Sequence, residues 1–221
     1  VRNGGSDHQI APSKRIEIHT RKNGLVEGHF GWPAIHTRHG KDTAPTLDNI
    51  FIDIGAKDKE EVSKLGVEVG NVITYQESFK ILNDTYFVGK SLDNKIGGFM
   101  ISQVARMIHK NKIELPFDLY IVNSVQEEIG LRGAEMIAAQ IDPHCAIITD
   151  VTHDTSTPMI DAKTEGDVKC GKGAVVTVAP AVHNILLELI RDVADEKELP
   201  YQMRASSSRT GTDTDAFAYS N

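Results

Sequence analysis

The rhythm of apolar and polar positions changes near residue 80. Before that point alternation dominates. In "KRIEIHT" (14–20) the residues Ile16 and Ile18 alternate with Arg15, Glu17 and His19, the period of a half-buried strand. The following "RKNGLVEGHFG" carries Asn23-Gly24, a hairpin signal. "NIFIDIGA" (49–56) and "NVITYQ" (71–76) read as further strands, and "KDKEEVSKLG" (57–66) as a short helix closed by Gly66. The expectation is a small, β-rich domain over residues 1–80.

After residue 85 strands and helices alternate. Ile96, Phe99, Met100, Val104, Met107 and Ile108 recur at helical spacing across 94–112. "FDLYIVNSVQ" (117–126), "CAIITDV" (145–151), "GAVVTV" (173–178) and "YQMRASSS" (201–208) read as strands. The helices between them are "GAEMIAAQ" (133–140) and "AVHNILLELIRDVADEKEL" (181–199). Such alternation predicts an α/β layered domain over 81–221, built on a largely parallel sheet.

Composition narrows the function classes. Hydrophobic residues make up 40% and charged residues 25% of the 221, an ordinary balance for a globular chain. The net charge of −7, with no basic stripe interleaved with aromatics, argues against a nucleic-acid partner. No apolar run approaches the roughly 20 residues of a bilayer span, so no membrane partner is expected. The two cysteines are too few for a disulfide scaffold and fit a cytoplasmic setting; Cys145, in an apolar run, is expected to be a buried thiol.

The chemistry-bearing residues gather at expected strand ends. Asp93 follows "YFVGKSL", the doublet Glu127-Glu128 follows "YIVNSVQ", and Asp150 follows "CAIIT". "GTDTDA", with Asp213 and Asp215, follows "YQMRASSS". In open α/β sheets ligands bind outside the carboxyl ends of the strands. If these strands run parallel, the carboxylates converge, and a divalent cation or two would offset their repulsion. Singly, Asp93 or Asp150 reads equally well as a helix cap or turn residue. His153 is either a solvated loop histidine or a substrate-site residue. "VGKS" lacks the first glycine of a P-loop, "CGKGAVV" lacks dinucleotide-binding spacing, and "SSSRTGTD" has no nucleophile elbow.

Taken in order, "VGKSLDNKIGG", "VQEEIGLRGA", "IITDVTHDTSTP", "CGKGAVV" and "GTDTDA" resemble the tetrahedral (TET) or glutamyl-type aminopeptidases, peptidase family M forty-two. The resemblance implies a three-layer α/β/α zinc-peptidase-like catalytic domain with an inserted β-rich, barrel-like oligomerisation domain. It also implies two divalent metal ions, zinc or cobalt, and hydrolysis of N-terminal residues from peptide substrates. By the same likeness Asp93 bridges the metals, Glu128 and Asp150 each hold one, and Glu127 is the general base acting on water between them. A homo-oligomer, in the family a tetrahedral dodecamer, is implied as well. The family's His-x-Asp segment and its histidine after "GTDTDA" have no counterpart here, so an incomplete catalytic domain is expected. The rival expectations are a catalytically incompetent assembly module and a glycan hydrolase; for the latter, two flanking carboxylates would be needed about 5–9 Å apart.

Overall fold

The computed structural model describes residues 4–38 and 44–219. The chain divides into two compact units, Val1–Lys90 and Ser91–Asn221.

The first unit is built on a four-stranded antiparallel sheet. Its strands are β1 (Arg15–His19), β2 (Leu25–Gly31), β3 (Phe51–Asp53) and β4 (Val72–Tyr75), in the order β3-β2-β1-β4. The alternation in β1 is realised as expected. Ile16 and Ile18 are buried, pair with Gly28 and Val26 of β2, and join Ala11, Phe30 and Ile50 in one core. Between β3 and β4 lies helix α1 (Lys59–Lys64). Asp58 caps it by accepting from the Glu61 N–H at 2.9 Å, while the Glu61 carboxylate accepts from the Lys57 N–H at 2.8 Å. The helix ends where Gly66 takes φ +78°, a left-handed conformation that glycine adopts without steric cost. A short hairpin of β5 (Lys80–Leu82) and β6 (Tyr86–Val88) completes the unit.

The second unit contains α2 (Leu92–Asn111), α3 (Arg132–Ile141), α4 (Ala162–Glu165), β7 (Ala174–Val178), α5 (Asn184–Glu196), β8 (Tyr201–Ala205) and α6 (Asp213–Ala218). β7 and β8 pair in parallel around α5, from Ala174↔Tyr201 to Val178↔Ala205. Here two expectations are corrected. Residues 117–126 and 145–151 form no ladder, so β7–β8 is the only parallel pair among the described residues. A strand exists only where a neighbouring strand takes its backbone hydrogen bonds, and among the described residues neither segment pairs with one. Their side chains stay accessible in consequence: Tyr120 is 61% exposed, and Cys145 is an exposed thiol rather than a core one. The apolar stripe of α2 is likewise uncovered, with Phe99 61% exposed. The buried apolar residues of this unit are mostly alanines, among them Ala134 and Ala138 of α3 and Ala216 of α6, beside Val168 and Leu187, and helices α3 and α6 pack together. No helix among the described residues is long and apolar enough to cross a membrane.

Because Ile16 is fully buried at the centre of the first unit's core, Ile16→Ala is expected to destabilise that unit by about 2–5 kcal/mol. The lone tryptophan, Trp32, packs against the same core, so denaturant unfolding followed by its fluorescence reads this unit.

Candidate active site

Asp93 stands where a helix is interrupted at its start. Ser91 is left-handed (φ 57°), and Asp93 (ψ 110°) and Asn94 (ψ 50°) depart from helical backbone, with a cis peptide bond between them. Asn94 restarts the helix with its side chain: Oδ1 accepts from the Gly97 N–H at 2.8 Å. Its Nδ2 donates to the Thr149 carbonyl at 2.7 Å, which ties the Asp93 segment to the residue before Asp150. Asp150 in turn accepts from the Val151 N–H at 2.8 Å.

Glu127 and Glu128 lie on one turn of 3₁₀ helix, Glu127–Ile129. Gln126 (φ 62°) leads into it, and Gly130 (φ 120°) and Leu131 (φ 55°) lead out into α3. On such a turn successive side chains diverge by about 120° rather than pointing to opposite faces as on a strand. The turn is fastened from behind by Gly133, whose N–H donates to the Val125 carbonyl at 3.0 Å. Glycine is required there, because a Cβ would collide with the Val125 carbonyl oxygen and lie 2.6 Å from its nitrogen. One residue upstream, the Ser124 hydroxyl donates to Oδ2 of Asp213 on α6.

The four acidic residues singled out in the sequence, Asp93, Glu127, Glu128 and Asp150, are electrostatically coupled. Glu127 is pushed up to about 7, first by burial and then by Asp150, Glu128, Asp213 and Asp93. Glu128 is raised by burial, then by Asp93 and Asp150. Asp150 is raised by burial, against the opposing Val151 N–H, with Asp93 and Asp213 adding to the rise. Asp213 is therefore a fifth member, and its position after "YQMRASSS" was the signal for it. Its neighbour in the motif differs. Asp215 is buried, which raises its proton affinity, but hydrogen bonds from Thr210 and Gly211 and the charge of Arg209 outweigh this and lower it. Asp215 thus secures the 210–215 loop. His153 is exposed.

Among the described residues no Lys, Arg or His forms an ion pair with any of the five carboxylates. The Asp213 Oδ1 is buried without a hydrogen-bond partner. An all-oxygen anionic set with an orphaned acceptor suits a divalent cation in charge and hardness. It is not a closed cage, since no group of three or more His, Cys, Asp or Glu among the described residues is arranged to hold a metal.

The sequence profile of the M42 glutamyl aminopeptidases matches residues 2–221. The chain belongs to this family. It is 34% identical over 213 residues to the lysyl aminopeptidase of Pyrococcus furiosus, which covers 95% of this chain and 59% of that protein. Its fold is similar to the TET aminopeptidase from a marine sediment Thaumarchaeota archaeon, with a TM-score of 0.86, 29% identity, and coverage of 96% of this chain and 60% of the other. A second similar structure is an aminopeptidase from the archaeon Desulfurococcus kamchatkensis, with a TM-score of 0.82, 28% identity, and coverage of 96% and 59%. The chain thus spans about three fifths of the M42 relatives it matches.

Glu127 holds its proton more tightly folded than unfolded, so ionising it costs stability as pH rises from its ordinary value of 4.5 to about 7. In metal-free protein the thermal midpoint should fall over that window, and Glu127→Gln should flatten part of the fall. Circular-dichroism melts at stepped pH check this.

Proposed function

We propose that the protein is a metal-dependent aminopeptidase that releases N-terminal residues from peptides. The observation that carries this reading is Glu127, a carboxylate raised to about 7 within a five-carboxylate cluster, in a chain of the M42 family. A group of that proton affinity accepts a proton near neutral pH and returns it readily. Glu127 removes the proton of the attacking water and delivers it to the amine nitrogen as the peptide bond breaks. Asp93, shared between two positions, pairs with Glu128 at one and with Asp150 at the other. Two divalent cations, zinc or cobalt, when bound there, supply positive charge that acidifies water and polarises the scissile carbonyl. The divergence of Glu127 and Glu128 on the 3₁₀ turn supports separate tasks for the two. We place this activity in the cytoplasm and in a homo-oligomer joined through the β-rich unit.

A second reading is an assembly module with a vestigial site. The lack of any three-donor group among the described residues favours it.

The test is release of amino acid from aminoacyl-anilides by purified protein, before and after zinc or cobalt is added to chelator-treated samples. Metal-dependent release supports the proposal. Absence of release, with intact folding and assembly, favours the module. Hydrolysis of polysaccharide alone would favour the glycan hydrolase. In the active protein, Glu127→Gln is expected to lower kcat by at least about 100-fold while metal content by elemental analysis stays unchanged. Retained turnover would remove Glu127 from its role.

A further inference from the structure

We infer that Ser124 and Asp213 form a positioning pair that holds the Glu127–Glu128 turn in register with helix α6. The inference rests on the aminopeptidase reading for its meaning, though not for its geometry. Three left-handed positions, Gln126, Gly130 and Leu131, surround the turn, and such backbone keeps its shape only where neighbours hold it. On the upstream side two bonds do so. Gly133 of α3 holds Val125, and Asp213 of α6 holds Ser124, three residues before Glu127.

The capping hydrogen bonds of α6 do not involve Asp213. Thr212 already caps the helix through the Thr214 N–H, and Asp215 already gathers the Thr210 and Gly211 donors. Asp213 makes its one side-chain hydrogen bond across 89 residues, to Ser124. Its charge also acts on Glu127 and Asp150 with the sign that raises both. Its place in the first turn of α6 suits a negative charge, but its side-chain hydrogen bond leaves the helix for Ser124, and the turn it fastens accounts for that bond. Asp213 acts on the Glu127 turn by holding Ser124, three residues upstream, and is a positioning residue.

The test compares Ser124→Ala, Ser124→Thr and Asp213→Asn with the parent protein in two measurements. Amide hydrogen exchange of metal-free protein reads the turn directly. Ser124→Ala should speed exchange over residues 125–133 by about tenfold, as expected for loss of one hydrogen bond. Ser124→Thr and Asp213→Asn, which keep a hydroxyl donor and an acceptor oxygen respectively, should stay within about threefold. Steady-state kinetics with zinc or cobalt should then show Ser124→Ala lowering kcat at least about tenfold, with KM within a factor of two and recovery in Ser124→Thr. Unchanged exchange in Ser124→Ala overturns the inference, as does equal acceleration in Ser124→Thr. If the parent protein shows no peptidase activity, the functional reading fails while the exchange result still decides the pair. Should Ser124→Ala not fold, exchange in Ser124→Thr and Asp213→Asn decides: parent-like protection in both supports the pair, and acceleration in both overturns it.

Discussion

Mutual repulsion among five carboxylates is the constraint around which the second unit is organised. Asp93, Glu127, Glu128, Asp150 and Asp213 come from four separate stretches of chain, and no basic side chain among the described residues pairs with any of them. Left to electrostatics these segments would separate. They are held by hydrogen bonds from uncharged donors instead: Asn94 to the Thr149 carbonyl, Gly133 to the Val125 carbonyl, and Ser124 to the Asp213 carboxylate. Each tie joins two acidic segments or anchors one to a helix. Negative charge gathered without its counter-charge is poised for a cation.

The first unit was largely legible in the sequence because its signals are local. Alternation of Ile16 and Ile18, the Asn23-Gly24 turn and the stop at Gly66 each report within a few residues what the backbone does. The second unit was legible in α2, α3, α5 and the start of α6, and in β7 and β8, but not in the short α4. The segments 117–126 and 145–151 were not, although their composition is strand-like. Apolar β-branched runs state that a segment suits a sheet; they do not supply the neighbouring strand. The exposed Cys145 and Tyr120 follow from the same missing partners.

The acidic positions were legible for a different reason. Four of them precede or open a helical turn, where a carboxylate has two interchangeable explanations, a cap or a ligand. Only the fold separates them. It does so most clearly at "GTDTDA", where two aspartates two residues apart have opposite environments. Asp215 accepts three hydrogen bonds, two from Thr210 and one from Gly211, and feels the charge of Arg209, whereas Asp213 leaves one oxygen orphaned. Sequence spacing carries no information on which of the two lies among the other carboxylates.

The doublet itself is resolved by its backbone. On a strand Glu127 and Glu128 would face opposite sides, and one would be wasted on solvent. The 3₁₀ turn gives them neighbouring but distinct directions, and their surroundings then separate them. Glu127 is raised by burial and by the other four carboxylates, and Glu128 by burial, Asp93 and Asp150, with the repulsion between the two glutamates acting on both. Glu127 is half-buried and pushed up to about 7, while Glu128 is the more exposed of the two. A base must hold a proton and a ligand must not. Under the proposed roles the two tasks fall to adjacent identical side chains, and what distinguishes these is their different burial, set by where the turn places each of them.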